Sequence, residues 1–242
     1  MFVHYRTKAF VFKKVDRREA DQLFSVYTKD FGKLKILGRG IRKISSKLRS
    51  GIEIFYLSEI EFIQGKSYKT LTDAVAIEKF KDLRKDLARL DIVHRVTGLL
   101  DDLIKGEEKD KGVWDLLIEV FNKLNDSDFK NPELIYHYFF WNFSSLLGYK
   151  PEIYSCPVCE NKLKPEKLYF SPKQGGVICK DCFKDKEFDI EIKPEIVKIM
   201  RIIIRNDIKV ISRLSVDKKQ IEGLKEASDN YHLFILEISG QN

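Results

Sequence analysis

The sequence predicts an α+β multidomain chain, with an N-terminal five-stranded OB-type β-barrel followed by an all-α helical domain that carries an inserted four-cysteine zinc finger. Three observations lead there. Five short strand-like segments fall within the first 77 residues, the apolar spacing turns helical from residue 78, and four cysteines form two C-x2-C pairs. The expected boundaries are 1–77 for the barrel and 78–242 for the helical domain, with the finger at about 152–186.

His4–Val15 alternates, with Tyr5, Thr7, Ala9 and Val11 on one side and Phe10 and Phe12 on the other. A charged turn at Asp16–Glu19 leads to a second strand, Gln22–Thr28, and the turn Asp30-Phe31-Gly32 to a third, Lys33–Leu37. Gly51–Phe62 reads as a fourth strand and Lys66–Ile77 as a fifth. Periodicity alone also admits an SH3-like barrel; the OB type is the reading adopted. Beyond Glu78, Phe80, Leu83, Leu87, Leu90, Val93 and Val96 recur at three- and four-residue steps, continued by Leu99, Leu100 and Leu103. Further helices are predicted over Trp114–Leu124, from Pro132 to near Gly148, over Pro194–Asn206 and over Lys218–Leu236. Proline at the first turn of the third suits its missing N–H.

Composition narrows the class. Hydrophobic residues are 43% and charged residues 33% of 242, as in a soluble globular protein. No run approaches the roughly 18 apolar residues of a membrane span; Ile196 to Ile204 is broken by Lys198 and Arg201. The opening MFVHYRTKAFVFKK lacks the solid apolar block of a signal peptide, so a cytoplasmic protein with no membrane partner is expected.

The net charge is +7, and its distribution is uneven. Residues 1–75 hold 16 Lys and Arg against 8 Asp and Glu, whereas the rest hold 28 against 29. Within the basic third, Lys33–Ser50 (KLKILGRGIRKISSKLRS) has seven cations and no acid. Glycines at 38 and 40 predict a mobile loop on the barrel face, and Tyr27, Phe31, Phe55 and Tyr56 lie close in sequence. Cations beside aromatic faces are what sequence-tolerant single-strand binding requires. Lys33, Lys35, Arg39, Arg42, Lys43, Lys47 and Arg49 are therefore candidate nucleic-acid contacts, with Tyr27 and Phe31 as candidate stacking rings.

Cys156 and Cys159, then Cys179 and Cys182, have the spacing of two knuckles closing one tetrahedron around Zn²⁺. Four thiolates leave no open coordination position, so one structural zinc ion is expected. Nearby Lys162, Lys164, Lys167, Lys173 and Lys180 are nearly matched by Glu160, Glu166, Asp181 and Asp185, which favours a staple over a DNA contact. No catalytic constellation is visible. His4, His94, His137 and His232 are scattered, Asp101-Asp102 and Glu107-Glu108 read as surface, and no phosphate loop, nucleophile elbow or H-E-x-x-H is present. A non-enzymatic protein is expected.

Two stretches carry a family resemblance: YTKDFGKLKILGRGIRK with the following SSKLRSG, and FSPKQGGVICKDC with its glycine pair Gly175-Gly176. In this order and spacing the chain resembles the bacterial RecO family of DNA-repair proteins over essentially its full length. The resemblance implies an N-terminal OB domain, a helical domain with an inserted zinc finger, and binding of single- and double-stranded DNA. It also implies strand annealing and partnership with RecR, the complex helping RecA replace single-stranded DNA-binding protein. It makes the seven loop cations the DNA contacts and the four cysteines the zinc ligands. Docking of the acidic tail of single-stranded DNA-binding protein is implied too, with the aromatic helix 136–143 as one wall. The competing reading is a zinc-ribbon adaptor that binds RNA or protein partners in a transcription or translation assembly.

Overall fold

The first strand is long enough to serve two neighbours, and this sets the barrel. In the computed structural model, which describes residues 3–65, 68–184, 188–205 and 207–240, β1 runs His4–Arg17. Its first half pairs antiparallel with β4 (Leu57–Gln64) and its second half with β2 (Asp21–Thr28). An irregularity between Val11 and Lys13 lets it coil from one partner to the other. β2 turns into β3 (Gly32–Gly38), and β5 (Lys69–Glu78) pairs with β4 on one side and, parallel, with β3 on the other. The closed order β1-β2-β3-β5-β4 is that of an OB barrel, which settles the choice that periodicity left open. Lys66, Asp185 and Asn206, named in the sequence reading, lie outside the described residues.

Alternation places Ala9, Val11, Phe24, Val26, Ile60 and Phe62 in the barrel core. Phe10 points outward yet is buried against Phe80, ring centroids 6.2 Å apart. The fourth strand begins at Leu57 rather than Gly51. Gly51 passes so close to Ala74 that a Cβ would stand 1.8 Å from its carbonyl oxygen, and Phe55 has φ +62°, so Gly51–Tyr56 is an irregular crossing. Helix also starts later than its spacing predicts. Phe80 has φ +47° and Leu83–Lys85 is a single 3-10 turn, so α1 runs Leu87–Leu103 with Leu87 exposed at its start.

The chain clusters into two compact units: residues 1–87 with 104–118, and residues 88–103 with 119–242. α2 (Lys111–Asn125) contributes to both. The second unit contains α3 (Pro132–Leu146), α4 (Pro194–Arg205), the four-residue α5 (Ile208–Ile211) and α6 (Lys218–Gly240). α3 packs on α4, α5 and α6, and Tyr136, Tyr138, Phe139, Phe140, Trp141 and Phe143 are all buried. Buried Arg89 donates to the carbonyls of Leu124, Asp126, Ser127 and Phe129, satisfying the exit of α2 that would otherwise be left without donors. A three-stranded sheet, unannounced by periodicity, starts in the finger segment and is completed beyond it: β6 (Leu168–Ser171) lies between β7 (Gly176–Cys179) and β8 (Ile190–Ile192), the last of them past residue 186.

His137 is fully buried in α3, in a hydrogen bond with Ser228 Oγ at 3.2 Å. Burial, with the charges of Arg95 and Lys225, lowers its pKa to about 3. Below pH 6.5 the unfolded chain takes up a proton that the folded one refuses, so stability is complete above that pH and declines toward pH 3. Urea denaturation should show this as a loss of about 1.4 kcal/mol per pH unit at most. His137→Gln should flatten the decline between pH 6.5 and 4; an unchanged pH profile would remove His137 as its source.

Candidate nucleic-acid interface and metal centre

The basic segment between β3 and β4, where the glycines predict a loop on the barrel face, is seated on the barrel as a cap. Ile41 and Ile52 are 2% exposed and join the barrel core, with Leu48 packed against them. Backbone hydrogen bonds fix the path: Arg42 N–H to Ala20 O at 3.0 Å, Lys43 N–H to Gly40 O at 3.1 Å and Ser46 N–H to Lys43 O at 3.0 Å. Gly40 supplies the turn's positive φ of +61° and donates its N–H to Asp21 Oδ1 at 2.7 Å. A 3-10 turn at Lys47–Ser50 completes it.

With the apolar side chains turned inward, Arg39, Arg42, Lys43, Lys47 and Arg49 are exposed together on the cap, and Ile44 among them is 97% exposed. Arg42 pairs with Asp16 at 3.2 Å, an exposed contact worth at most about 1 kcal/mol and easily exchanged for a phosphate. Lys33 and Lys35 stand apart from these on β3, where a spacing of two puts them on one face. Lys35 is exposed, while Lys33 donates to Ile104 O at 2.9 Å.

The two candidate stacking rings do not reach solvent alike. Tyr27 is 1% exposed, its hydroxyl meets the backbone of Asp110, and burial pushes its pKa up to about 12. It has no free face for a base, which corrects that assignment. Phe31 is half-buried, edge-on to Tyr5 and Phe62 at 5.7 Å from each. Phe55 is also core. Tyr68, which the sequence reading does not single out, lines a cavity of about 400 Å³ with Lys33, Lys35 and Lys69. Its stretch of sequence, from Gly65 to Thr72, is free of acids. The rings of α3 are buried, so helix 136–143 offers no aromatic wall to a docking peptide.

The four cysteines converge. All four Sγ atoms lie within 4.8 Å of one another, and Cys159 and Cys179 are 3.8 Å apart. Zn–S bonds of about 2.3 Å at tetrahedral angles give an S···S edge of about 3.8 Å, so the spacing fits a four-thiolate ion. The first knuckle turns through Glu160 at φ +62°, with Cys156 N–H on Asn161 O at 2.9 Å and Glu160 N–H on Cys156 O at 2.8 Å. The second is a 3-10 turn at Lys180–Cys182. Burial pushes the Cys156 thiol up, but the backbone N–H groups of Cys179, Cys159 and Val158 more than offset this and leave it at about 7. Hydrogen bonding to Cys179, followed by burial, pushes Cys182 up to about 12. Such a cluster cannot hold four thiolates without a cation to offset them.

Packing holds the finger base as well. Phe170 and Val177 are fully buried, and the Phe170 ring meets Trp141 at 5.7 Å and Tyr231 at 5.3 Å. Tyr169 stacks on Phe183 at 3.7 Å, beside the thiols. Gly176 lies against Glu152, where a Cβ would stand 2.1 Å from the carbonyl oxygen, and Gly175 has φ +76°. The glycine pair thus sets the approach to the second knuckle. The histidines are distributed over β1, α1, α3 and α6, and Asp102, in the last turn of α1, faces His232 at 3.9 Å.

An OB barrel with a cationic cap, joined in one chain to a helical unit bearing a four-thiol finger, defines a class of two-unit OB proteins. The family model described as Recombination protein O N terminal matches residues 1–80, and Recombination protein O C terminal matches residues 84–238. The chain belongs to this family, RecO. It is 31% identical to the DNA repair protein RecO of Dehalococcoides mccartyi, over 96% of this chain and 91% of the relative. The namesakes from Desulforamulus reducens and Halalkalibacterium halodurans are 28% and 25% identical, over 95% and 94% of this chain and 90% and 88% of theirs. Among the described residues, no helix is long and apolar enough to cross a membrane.

The thiol cluster should hold one metal ion per chain, and Cys159→Ser should reduce metal content severalfold by elemental analysis. Hydrogen exchange should then accelerate in both knuckles but not in α3, because Phe170 remains anchored. Metal-free wild-type protein with protected knuckles would refute the site.

Proposed function

We propose that the protein is a non-enzymatic recombination mediator of DNA repair that binds single- and double-stranded DNA and anneals complementary strands. With RecR it helps load RecA onto DNA coated by single-stranded DNA-binding protein, in the cytoplasm. The observation that carries this reading is the match of family models to both units, together with relatives named DNA repair protein RecO aligned over nearly the whole chain. The exposed cations of the cap support it.

Annealing needs no bond to be broken. A cationic surface lowers the repulsion between two strands, and weak, unspecific contacts can be surrendered as base pairs form. The metal of the finger is zinc, a four-thiolate ion with no position left for water, so its role is to staple the two knuckles.

Annealing of two complementary fluorescent oligonucleotides, naked or coated with single-stranded DNA-binding protein, tests the reading. Acceleration of the coated pair is the expected result; tight binding without acceleration would overturn annealing. If about five phosphates are contacted, binding should weaken roughly a hundredfold between ~50 and ~200 mM salt. Replacing Arg39, Arg42 and Lys43 together by alanine should flatten the logarithmic slope by about 2 while leaving the fold intact. Elemental analysis should identify the metal as zinc.

A further inference from the structure

Ile104–Asp110 forms a strap that belongs to the barrel's own unit. Lys33 Nζ donates to Ile104 O at 2.9 Å, and Lys69 Nζ donates to both carboxylate oxygens of Glu107, at 2.7 and 2.9 Å. Tyr27 Oη accepts from Asp110 N–H at 3.3 Å and donates to Asp110 O at 3.4 Å. Gly32, at φ +66°, lets the strap approach where a Cβ would meet Glu108 O at 2.2 Å. A substituent there would lift the strap, so the close approach depends on glycine.

The cavity of about 400 Å³ opens beside this strap, with Lys35, Gln64, Tyr68, Lys69, Lys105 and Glu107 in its lining. Tyr68 is half-buried and its ring lies 5.1 Å from the Arg17 guanidinium carbon, which limits how it can turn. Lys69 is held with only 18% of its side chain exposed, whereas Glu107, its partner, is 62% exposed. The cation is therefore fixed and the anion replaceable. A carboxylate that accepts from an ammonium through two oxygens occupies the place a phosphate would take, and in an exposed pair it is held only weakly. Aromatic ring, amide and ammonium groups around a volume suited to a small ligand are the set that holds one nucleotide: stacking, edge contact and phosphate.

We propose that this cleft is a subsite for one nucleotide of single-stranded DNA, in which the base lies on Tyr68 and a phosphate displaces Glu107 from Lys69. Glu107 is then a competitor built into the chain. The subsite rests on the DNA-binding reading above and adds residues to it that lie outside the cap. Because a phosphate arriving at Lys69 exchanges with Glu107, this lysine adds little to the salt dependence of binding in the native protein. Without Glu107 it would carry counterions and release them on binding.

Anisotropy of a labelled oligothymidylate, titrated with the full-length protein over a salt series, tests this. Glu107→Gln should tighten binding about two- to fivefold at low salt and steepen the logarithmic slope by about 0.7. The gain should vanish in the double variant with Lys69→Gln, and Glu108→Gln, which removes the same charge one residue on, should not reproduce it. Tyr68→Ala should weaken binding at least about fivefold. Photo-crosslinking of a 5-iodouracil oligonucleotide to wild-type protein should map to Tyr68, a readout that needs no folded variant. Unchanged affinity in Glu107→Gln, a gain that survives Lys69→Gln, or crosslinks that map only elsewhere would each overturn the subsite while DNA binding stands. Wild-type protein that fails to bind the oligonucleotide at low salt would overturn the DNA-binding reading and the subsite with it.

Discussion

The barrel closes through β3 and β5, and that parallel ladder is its shortest: among the described residues only Ile36 pairs with Lys69 and Leu37 with Thr70. A few ladder hydrogen bonds contribute about 0.5–1.5 kcal/mol each. Ile41 and Ile52, buried with the barrel core, contribute about 1.5–3 kcal/mol each by leaving water. Burial of apolar side chains thus contributes at least as much to the barrel as this short ladder does. The cationic residues of the cap are carried on the same segment as those isoleucines, so a presentation surface and part of the barrel core are one piece of chain.

The second unit shows a similar sharing of labour. Its thiol cluster organises the two knuckles, while Phe170, set between Trp141 and Tyr231, fixes the sheet that carries Cys179 to the helices. The finger segment is not held by its cysteines alone, since Leu168, Tyr169, Phe170, Val177 and Ile178 are all buried. The thiol cluster and a packed strand pair therefore lie on different parts of one short segment, the cluster at the turns and the side chains at the base.

Much of this was legible in the chain. Alternation marked the strands of the barrel because their inward side chains have one apolar face to fill, and the cysteine spacing marked the cluster because two-residue gaps suit tetrahedral ligation. Strand order, in contrast, could not be read from periodicity, which is the same whichever neighbour a strand pairs with. The crossing at Gly51–Tyr56 was hidden by its apolar residues, since Ile52 is buried with the core and not as part of a ladder. Tyr27 was the hardest to sort. A tyrosine on a strand can face in or out, and only the contact of Tyr27 with Asp110, 83 positions away, decides its place.

Closure of the barrel also limits how this unit can meet another protein. Each strand has a partner on both sides over part of its length, and where β3 begins, Glu108 of the strap crowds Gly32. Among the described residues β5 has no ladder on its β3 side beyond Thr70, but there Gly51 crowds the Ala74 carbonyl, so an incoming extended peptide meets an edge that is already partly covered. Association with the barrel is left mainly to side chains, on a surface whose character is set by cations. The same closure guards against edge-to-edge aggregation, which a basic, half-open sheet would invite whenever a polyanion neutralised its charge.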